Sequence, residues 1–193
     1  NARETLASTV TYCTASATNT ADERIGKVVF GTINNTSTGT AGYENFTALS
    51  TNVVRGTSNS ISITPAWTST AYKEAYAVYI DYNKNGVFTE SGEKVWTKAA
   101  STTTPATGSF TIPATASLGS TRMRVIMKYN ATPTTPCGTF TYGQVEDYTV
   151  NITSVARGTE SNQVSLNINL YPNPVQDILN ISSVEENATY RVL

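Results

Sequence analysis

Short segments in which apolar and polar residues alternate run through most of this sequence, and they constrain its fold more than any other feature. Clusters of Gly, Pro, Asn, Ser and Thr separate these segments, and no long stretch repeats apolar residues at a helical period. The pattern predicts an all-β fold, in which about eight strands form an antiparallel β-sandwich of the jelly-roll or immunoglobulin-like kind. The segments predicted as strands are 28–30, 61–64, 76–80, 94–96, 108–112, 123–127 and 148–152.

One of these segments predicts which side chains enter the core. Met123, Val125 and Met127 lie on one face of the strand, whereas Arg122, Arg124 and Lys128 alternate towards the other face. We therefore expect the methionine face to be buried and the arginine face to be wetter.

The composition excludes several kinds of chemistry. The chain has no His and only two Cys, so it contains neither a Ser-His-Asp triad nor a zinc site with His ligands. Its formal net charge of -1 provides no basic field for nucleic acid. No apolar run approaches the roughly 18 residues of a membrane-spanning helix. We predict that the chain is not an enzyme and that it has no transmembrane segment.

The two cysteines, Cys13 and Cys137, are far apart in sequence, and neither belongs to a CxxC pair. This spacing argues against redox catalysis and metal binding. We predict a disulfide that joins the start of the domain to a late loop, as is common in exported proteins. Two buried free thiols are the alternative.

Changes in composition suggest how the chain is organised. Residues 1–10 are predicted to be a leader from an upstream region, 11–152 the main sandwich, and 153–164 a polar linker. Residues 165–193 are predicted to open a second small β unit, in which alternating strands flank a Pro-Asn-Pro turn that excludes helix. Because the chain begins without Met and ends within an alternating pattern, we expect it to be part of a longer protein.

A polar loop is predicted after the strand that ends at Ile80, and its spacing is typical of a calcium-binding loop. Alternate oxygen-bearing side chains followed by Gly86 can direct several oxygens at one hard cation. Two Asn replace Asp, and the last acids do not fall at the usual position. An Asn-Gly hairpin turn whose side chains cap their own backbone remains the alternative. The candidate ligands are Asp81, Asn83, Asn85, the backbone carbonyl of Val87, Glu90 and Glu93.

A second acidic position comprises Glu146 and Asp147. Because adjacent residues on a strand point to opposite faces, the two carboxylates are not expected to share one pocket. We predict that one of them pairs with Arg122 or Arg124; a second metal ligand is an alternative, and a glycosidase carboxylate is less well supported.

Four aromatic residues near predicted turns or strand ends are candidates for a sugar-binding platform. Aromatic rings stack on the apolar faces of sugars, while nearby Asn and Thr bind the hydroxyls. The two tryptophans fit the core of a sandwich equally well, and this alternative stays open. The candidates are Trp67, Tyr72, Trp96 and Tyr142.

The tail resembles the C-terminal sorting domain of the type IX secretion system of Bacteroidetes. In that family a small β-sandwich directs the protein across the outer membrane, and it is usually cleaved afterwards. The resemblance covers only the first part of such a domain. It rests on Leu170, Tyr171, Pro172, Asn173, Pro174, Asp177, Leu179 and Ile181.

The main body resembles the GEVED domain over about residues 11–152. Gln144 stands where the family motif has Glu, which puts any role of that carboxylate in doubt. The resemblance implies a β-sandwich accessory domain on exported proteases, glycan-active enzymes or adhesins, with no established catalysis. It rests on Tyr12-Cys13, Gly31 to Asn35, Ile80 to Phe88, Thr121 to Val125, Pro136 to Gly138 and Gly143 to Tyr148.

These observations together predict a non-catalytic accessory or binding module of a secreted or cell-surface protein. Its expected partners are the type IX outer-membrane machinery and a glycan or protein ligand, with Ca²⁺ as a candidate cofactor. The alternative is an adhesin or structural spacer at the cell surface. A third, less supported alternative is an ancillary part of a protease or glycan-degrading enzyme.

Overall fold

The computed structural model describes residues 10–154, 170–171 and 180–181. The chain divides into two compact units, Asn1–Val155 and Ala156–Leu193. The predicted fold class is confirmed: no helix occurs among the described residues, and the first unit consists of two facing β-sheets.

The first unit contains ten described strands. All the segments that the alternating pattern predicted fall in these strands, apart from the terminal residue Ile112. The strands are β1 (Ala15–Asn19), β2 (Glu23–Phe30), β3 (Ile33–Thr36), β4 (Tyr43–Val54), β5 (Ser58–Trp67), β6 (Glu74–Ile80), β7 (Lys94–Ser101), β8 (Ala106–Thr111), β9 (Gly119–Tyr129) and β10 (Gly138–Thr153).

The larger sheet is built around the long strand β10. Along one side, β10 pairs antiparallel with β9, and the sheet continues through β6 to β7. Its other side pairs parallel with two strands in succession, β1 at its start and β4 over its second half. One 16-residue strand therefore holds two separate segments of the chain at the same edge.

The smaller sheet has the order β3-β2-β5-β8 and is antiparallel throughout. Apolar side chains from both sheets fill the space between them. Met123, Val125 and Met127 are fully buried in this core, as predicted. Burial of these apolar rows is the main stabilising contribution to such a fold.

The opposite face of the larger sheet is also covered, which corrects one prediction. Tyr79, Phe88 and Ile126 form a second buried cluster there, and Tyr12 packs against it. Arg124, expected on a wetter side, is only 2% exposed. The prediction was wrong because the residues before β1 and the loop after β6 fold over this face, and strand alternation does not reveal such a cover.

A disulfide joins Cys13 to Cys137, with their Cα atoms 5.6 Å apart. It connects the segment before β1 to the residue that precedes β10, next to the point where these strands begin their parallel pairing. The predicted disulfide is therefore present, and the free-thiol alternative is not.

In the second unit, β11 (Leu170–Tyr171) pairs antiparallel with β12 (Asn180–Ile181). This pairing fits two strands on either side of a turn. The other residues of the predicted sorting signal, Pro172, Asn173, Pro174, Asp177 and Leu179, lie outside the described residues. The same holds for the predicted leader up to residue 9 and for most of the predicted linker.

Candidate functional site

The motif in β10 begins with a close approach of two backbones. Gly143 has a φ of 128°, and a Cβ at this position would lie 2.1 Å from the carbonyl oxygen of Met127. Gln144 follows and is fully buried, where its Oε1 accepts the N–H of Ile25 at 2.9 Å. Its Nε2 donates to the carbonyl of Ala41 at 2.8 Å. Gln144 therefore connects the two sheets. Its side-chain amide can donate to the carbonyl oxygen of Ala41, whereas the ionised carboxylate of a Glu at this position could not.

Asp147 is the centre of a buried ion pair. Arg124 donates two hydrogen bonds to it, Nε to Oδ1 and Nη2 to Oδ2, both at 2.8 Å. Nη1 of Arg124 also donates to the backbone carbonyls of Cys13 and Pro136, which flank the covered face. The predicted arginine pairing is confirmed, and the carboxylate is fully occupied in structural contacts.

A second arginine and a tyrosine complete the surroundings of Asp147. Nη1 of Arg122 lies 3.3 Å from Oδ2, and the hydroxyl of Tyr43 donates to the same oxygen at 3.1 Å. Burial, followed by the charge of Asp147, raises the pKa of Tyr43. The guanidinium of Arg122 also lies over the ring of Tyr12, 4.5 Å from its centroid.

Glu146 points to the opposite side, into the space between the sheets. Its Oε2 accepts the hydroxyl of Tyr148 at 2.6 Å, and Tyr148 in turn accepts Nδ2 of Asn35 at 2.9 Å. Burial without a paired cation raises the pKa of Glu146 to about 7. Glu146 and Asp147 therefore do not share a pocket, which leaves a two-carboxylate hydrolase site at this position without geometric support.

The loop between β6 and β7 is organised around the buried carboxylate of Asp81. Its Oδ1 accepts the backbone N–H groups of Lys84 at 2.7 Å and Asn85 at 3.2 Å. Its Oδ2 accepts the N–H of Gly86 and the hydroxyl of Tyr12, both at 2.9 Å. These four donors match the acceptor capacity of one carboxylate, so Asp81 holds the turn whether or not it binds an ion.

The other candidate ligands converge beside this turn. The side-chain amides of Asn83 and Asn85 both donate to the carboxylate of Glu90, the latter at 2.7 Å. Glu93 is buried, and its Oε1 accepts the N–H of Tyr82 at 2.9 Å while its Oε2 has no partner. Burial raises the pKa of Glu93.

The remaining candidate, Val87, is 42% exposed, and its N–H donates to the side chain of Asn85. Within the part of the chain that the structure describes, no group of three or more His, Cys, Asp or Glu could hold a metal ion. A cation here would therefore depend on amide and carbonyl oxygens, and the calcium site stays a prediction.

The four predicted aromatic candidates do not form one surface. Trp96 packs against the core, with its ring centroid 6.4 Å from that of Tyr76. The indole Nε1 of Trp67 donates to Oε1 of the buried Glu74 at 3.3 Å. Tyr72 and Tyr142 instead line the same small cavity, and they share it with Tyr129.

Sequence reasoning missed Tyr129 and the two acids that complete this cavity, Asp22 and Glu23. Tyr129 ends β9 and Glu23 begins β2, so both lie at strand ends where alternation is weakest. The available signals were the acidic pair Asp22-Glu23 at the start of a strand and tyrosines in or near the ends of other strands.

Two packed sheets, buried polar networks and a long-range disulfide define this unit as a stapled β-sandwich module of the extracellular type. The family model of the GEVED domain matches residues 75–151, which run from β6 into β10. The resemblance is thus supported over that range, whereas residues 11–74 lie outside it. No curated protein matches the chain closely enough to serve as a relative.

The GEVED match and the disulfide together indicate an extracellular protein. No helix among the described residues is long and apolar enough to cross a membrane.

Proposed function

We propose that the chain is a non-catalytic accessory module of an exported protein and that it binds a ligand for the larger molecule. This proposal rests on one observation, which is that the motif residues in β10 make structural contacts within the fold. Gln144 joins the two sheets and Asp147 holds two arginines. Side chains committed to such contacts build a scaffold, which suits a module that presents a surface rather than one that performs a reaction.

Turnover and binding assays on the same sample test this role. The folded chain is expected to leave a panel of polysaccharides and casein unchanged, and to bind one ligand class saturably. Turnover that survives repurification and is lost in Glu146→Gln would contradict the non-catalytic role.

An adhesin or surface spacer is the second candidate, because the disulfide and the parallel edge pairing make the module rigid. A spacer is expected to show no saturable ligand. It is also expected to tolerate substitution of exposed aromatic residues such as Tyr142 without loss of surface attachment. Selective loss of ligand binding in that variant, with an unchanged melting temperature, would favour the binding role.

Export through the type IX secretion system is part of the proposal, and the tail motif around Leu170 and Tyr171 supports it. The parent protein is expected outside the cell in a competent Bacteroidetes strain and inside the cell in an isogenic strain that lacks the secretion machinery. Equal amounts in the medium or on the surface of both strains would rule out this route.

Calcium binding to the β6–β7 loop is a further part of the proposal. The convergence of Asn83, Asn85 and Glu90 supports it, because these oxygen-bearing side chains lie together in one loop. The amide oxygens of Asn83 and Asn85 accept the backbone N–H groups of Asn85 and Val87, so a cation would have to compete with these hydrogen bonds. Such a set of ligands carries little charge, so we expect weak binding, in the range of about 10⁻⁴–10⁻³ M.

Chelation tests this site. Excess chelator is expected to lower the melting temperature, and Ca²⁺ in excess of the chelator is expected to restore it. Glu90→Gln should abolish the response because it removes a charged candidate ligand. Glu90 is exposed, so its loss should spare the turn, whereas Asp81→Ala is expected to unfold the loop as well. A melting curve that does not respond to chelator or Ca²⁺ in the unaltered protein would leave the loop as a plain turn.

A further inference from the structure

The cavity at one end of the space between the sheets has an unusual lining. Its volume is about 230 Å³, and only tyrosine and acidic side chains line it. Tyr129 and Tyr142 are 40% and 41% exposed, so they form an accessible rim. We call this site the tyrosine cavity; its lining residues are Asp22, Glu23, Tyr72, Tyr129 and Tyr142.

The three rings are arranged as walls. The rings of Tyr72 and Tyr129 have centroids 5.8 Å apart and an interplanar angle of 86°. Those of Tyr129 and Tyr142 are 6.1 Å apart at 80°. A flat sugar-stacking platform needs rings that present one common face, whereas these rings meet edge to face and line the cavity from different directions. The volume is also below the roughly 300–1,000 Å³ of typical ligand pockets, which favours a small group over a sugar chain.

The negative charge of the cavity is not compensated by the protein. Glu23 is only 3% exposed, yet it lines the cavity. Behind it, Glu74 is fully buried, and its Oε2 has no hydrogen-bond partner. Among the described residues, no Lys or Arg nitrogen lies within 4.0 Å of either carboxylate. A buried carboxylate without a counter-charge is costly, and a bound cation would remove that cost.

The lysine that precedes Tyr129 does not provide this counter-charge. Because adjacent strand residues point to opposite faces, Lys128 projects from the other side of the sheet. Its Nζ lies 5.9 Å from the ring centroid of Phe140. No Lys or Arg lines the tyrosine cavity in the described part of the chain, so its acidic side chains can pair with an external cation.

We propose that the tyrosine cavity binds an alkylammonium group, of the kind found in choline-type molecules and methylated lysine side chains. The tyrosine rings attract such a cation, its methyl groups fill the cavity that the rings line, and Glu23 and Asp22 supply the opposite charge. This inference rests on the proposed binding function and specifies its ligand class.

Calorimetric titration of the folded chain with choline tests the inference, with 3,3-dimethyl-1-butanol as the neutral control of the same shape. Choline is expected to bind saturably and at least about tenfold more tightly than the alcohol, since the charge contributes through the rings and carboxylates. Equal affinity for the two compounds, or no saturable binding of choline, would overturn the proposal.

Variants locate the site. Tyr129→Leu and Tyr142→Leu are each expected to weaken choline binding by about tenfold, whereas Tyr129→Phe retains the ring and most of the affinity. Glu23→Gln should weaken choline binding and leave the alcohol unaffected. Leu49→Ala removes a 40% exposed apolar side chain of β4 that does not line the cavity, and it should change nothing. Choline binding that survives both leucine variants, with folding confirmed by melting curves, would also overturn the proposal.

Further titrations distinguish a protein ligand from a small molecule. They also distinguish a failure of the proposed ligand class from a failure of the proposed binding function. A trimethyllysine peptide that binds more tightly than choline supports a protein ligand, and the reverse order supports a small choline-type molecule. A glycan that binds at the cavity while all ammonium compounds fail would overturn this inference and leave the binding function intact. Failure of every compound, glycans and proteins included, would overturn both.

Discussion

At the scale of single residues, the most consequential arrangement is a charge pair that water hardly reaches. Arg124 and Asp147 are both buried, and each completes the hydrogen bonding of the other. Removing Arg124 would leave the buried carboxylate of Asp147 with only the longer contact to Arg122, at 3.3 Å, and a poorly compensated buried charge costs more than the pair itself contributes.

Arg124→Met is therefore expected to lower the free energy of unfolding by about 3–5 kcal/mol, measured by denaturant titration. The double variant Arg124→Met/Asp147→Leu should lose clearly less, because no buried charge is left unpaired and Arg122, which also loses its partner, is partly exposed to water. Arg122→Met is the matched control: it contacts the same carboxylate from a side chain that is 27% exposed, and its loss should cost no more than about 1 kcal/mol. Equal losses in Arg122→Met and Arg124→Met would contradict this account.

Glu74 and Glu146 make a prediction about pH. Burial raises the pKa of each to about 7, so between about pH 5 and 7 the folded chain binds more protons than the unfolded chain. The contribution of these groups to stability is therefore largest at low pH and declines as pH rises through 7.

Melting temperatures at pH 6 and pH 8 check this sign, with the lower value expected at pH 8. Glu146→Gln removes the charge and retains the acceptor for Tyr148, so it should raise stability at pH 8 and reduce the difference between the two pH values. The role of Glu146 would be refuted if the unaltered protein became more stable from pH 6 to pH 8 and Glu146→Gln showed the same increase.

At the scale of elements, β10 depends on one glycine. Gly143→Ala places a methyl group against the backbone of Met127 and also requires a positive φ. Gly56→Ala shares the positive φ, at 76°, but its methyl group would meet nothing within 4 Å. Both variants should be less stable by about 1 kcal/mol for the backbone term, and Gly143→Ala should lose distinctly more. Equal unfolding free energies for the two variants would show that the contact with Met127 is unimportant.

The sequence predicted the strands that are rich in apolar residues and failed for those that are largely polar. β6 and β9 were predicted because they carry many apolar residues, and in the structure β6 is buried on both faces. β3 carries Asn34 and Asn35, and β4 is largely polar, so their backbone pairing with β2 and β10 stabilises them without an apolar signature. The tyrosine cavity was missed for a related reason, since it forms only where the start of β2, the end of β9, the first part of β10 and the loop before β6 meet.

For the whole molecule, the disulfide encloses most of the first unit in a loop of 124 residues. Chain-entropy arguments assign such a link a stabilisation of about 2–5 kcal/mol. The double variant Cys13→Ser/Cys137→Ser should lose that amount in the free energy of unfolding, and a reducing agent should affect only the unaltered protein. Mass spectrometry that finds both thiols free in the folded protein would contradict the link.

The position of the disulfide also determines how the module would respond to mechanical tension along the chain. A pull applied before Cys13 passes directly to Cys137 and then along β10, bypassing the segment between them. The neighbours of β10, which are β9 on one side and β1 and β4 on the other, all belong to the bypassed segment. The disulfide and β10, which is already an extended strand, would therefore carry the load, and the rest of the unit would not be pulled apart. A module of this kind would lengthen little under load, a property well suited to a protein held at a surface against flow.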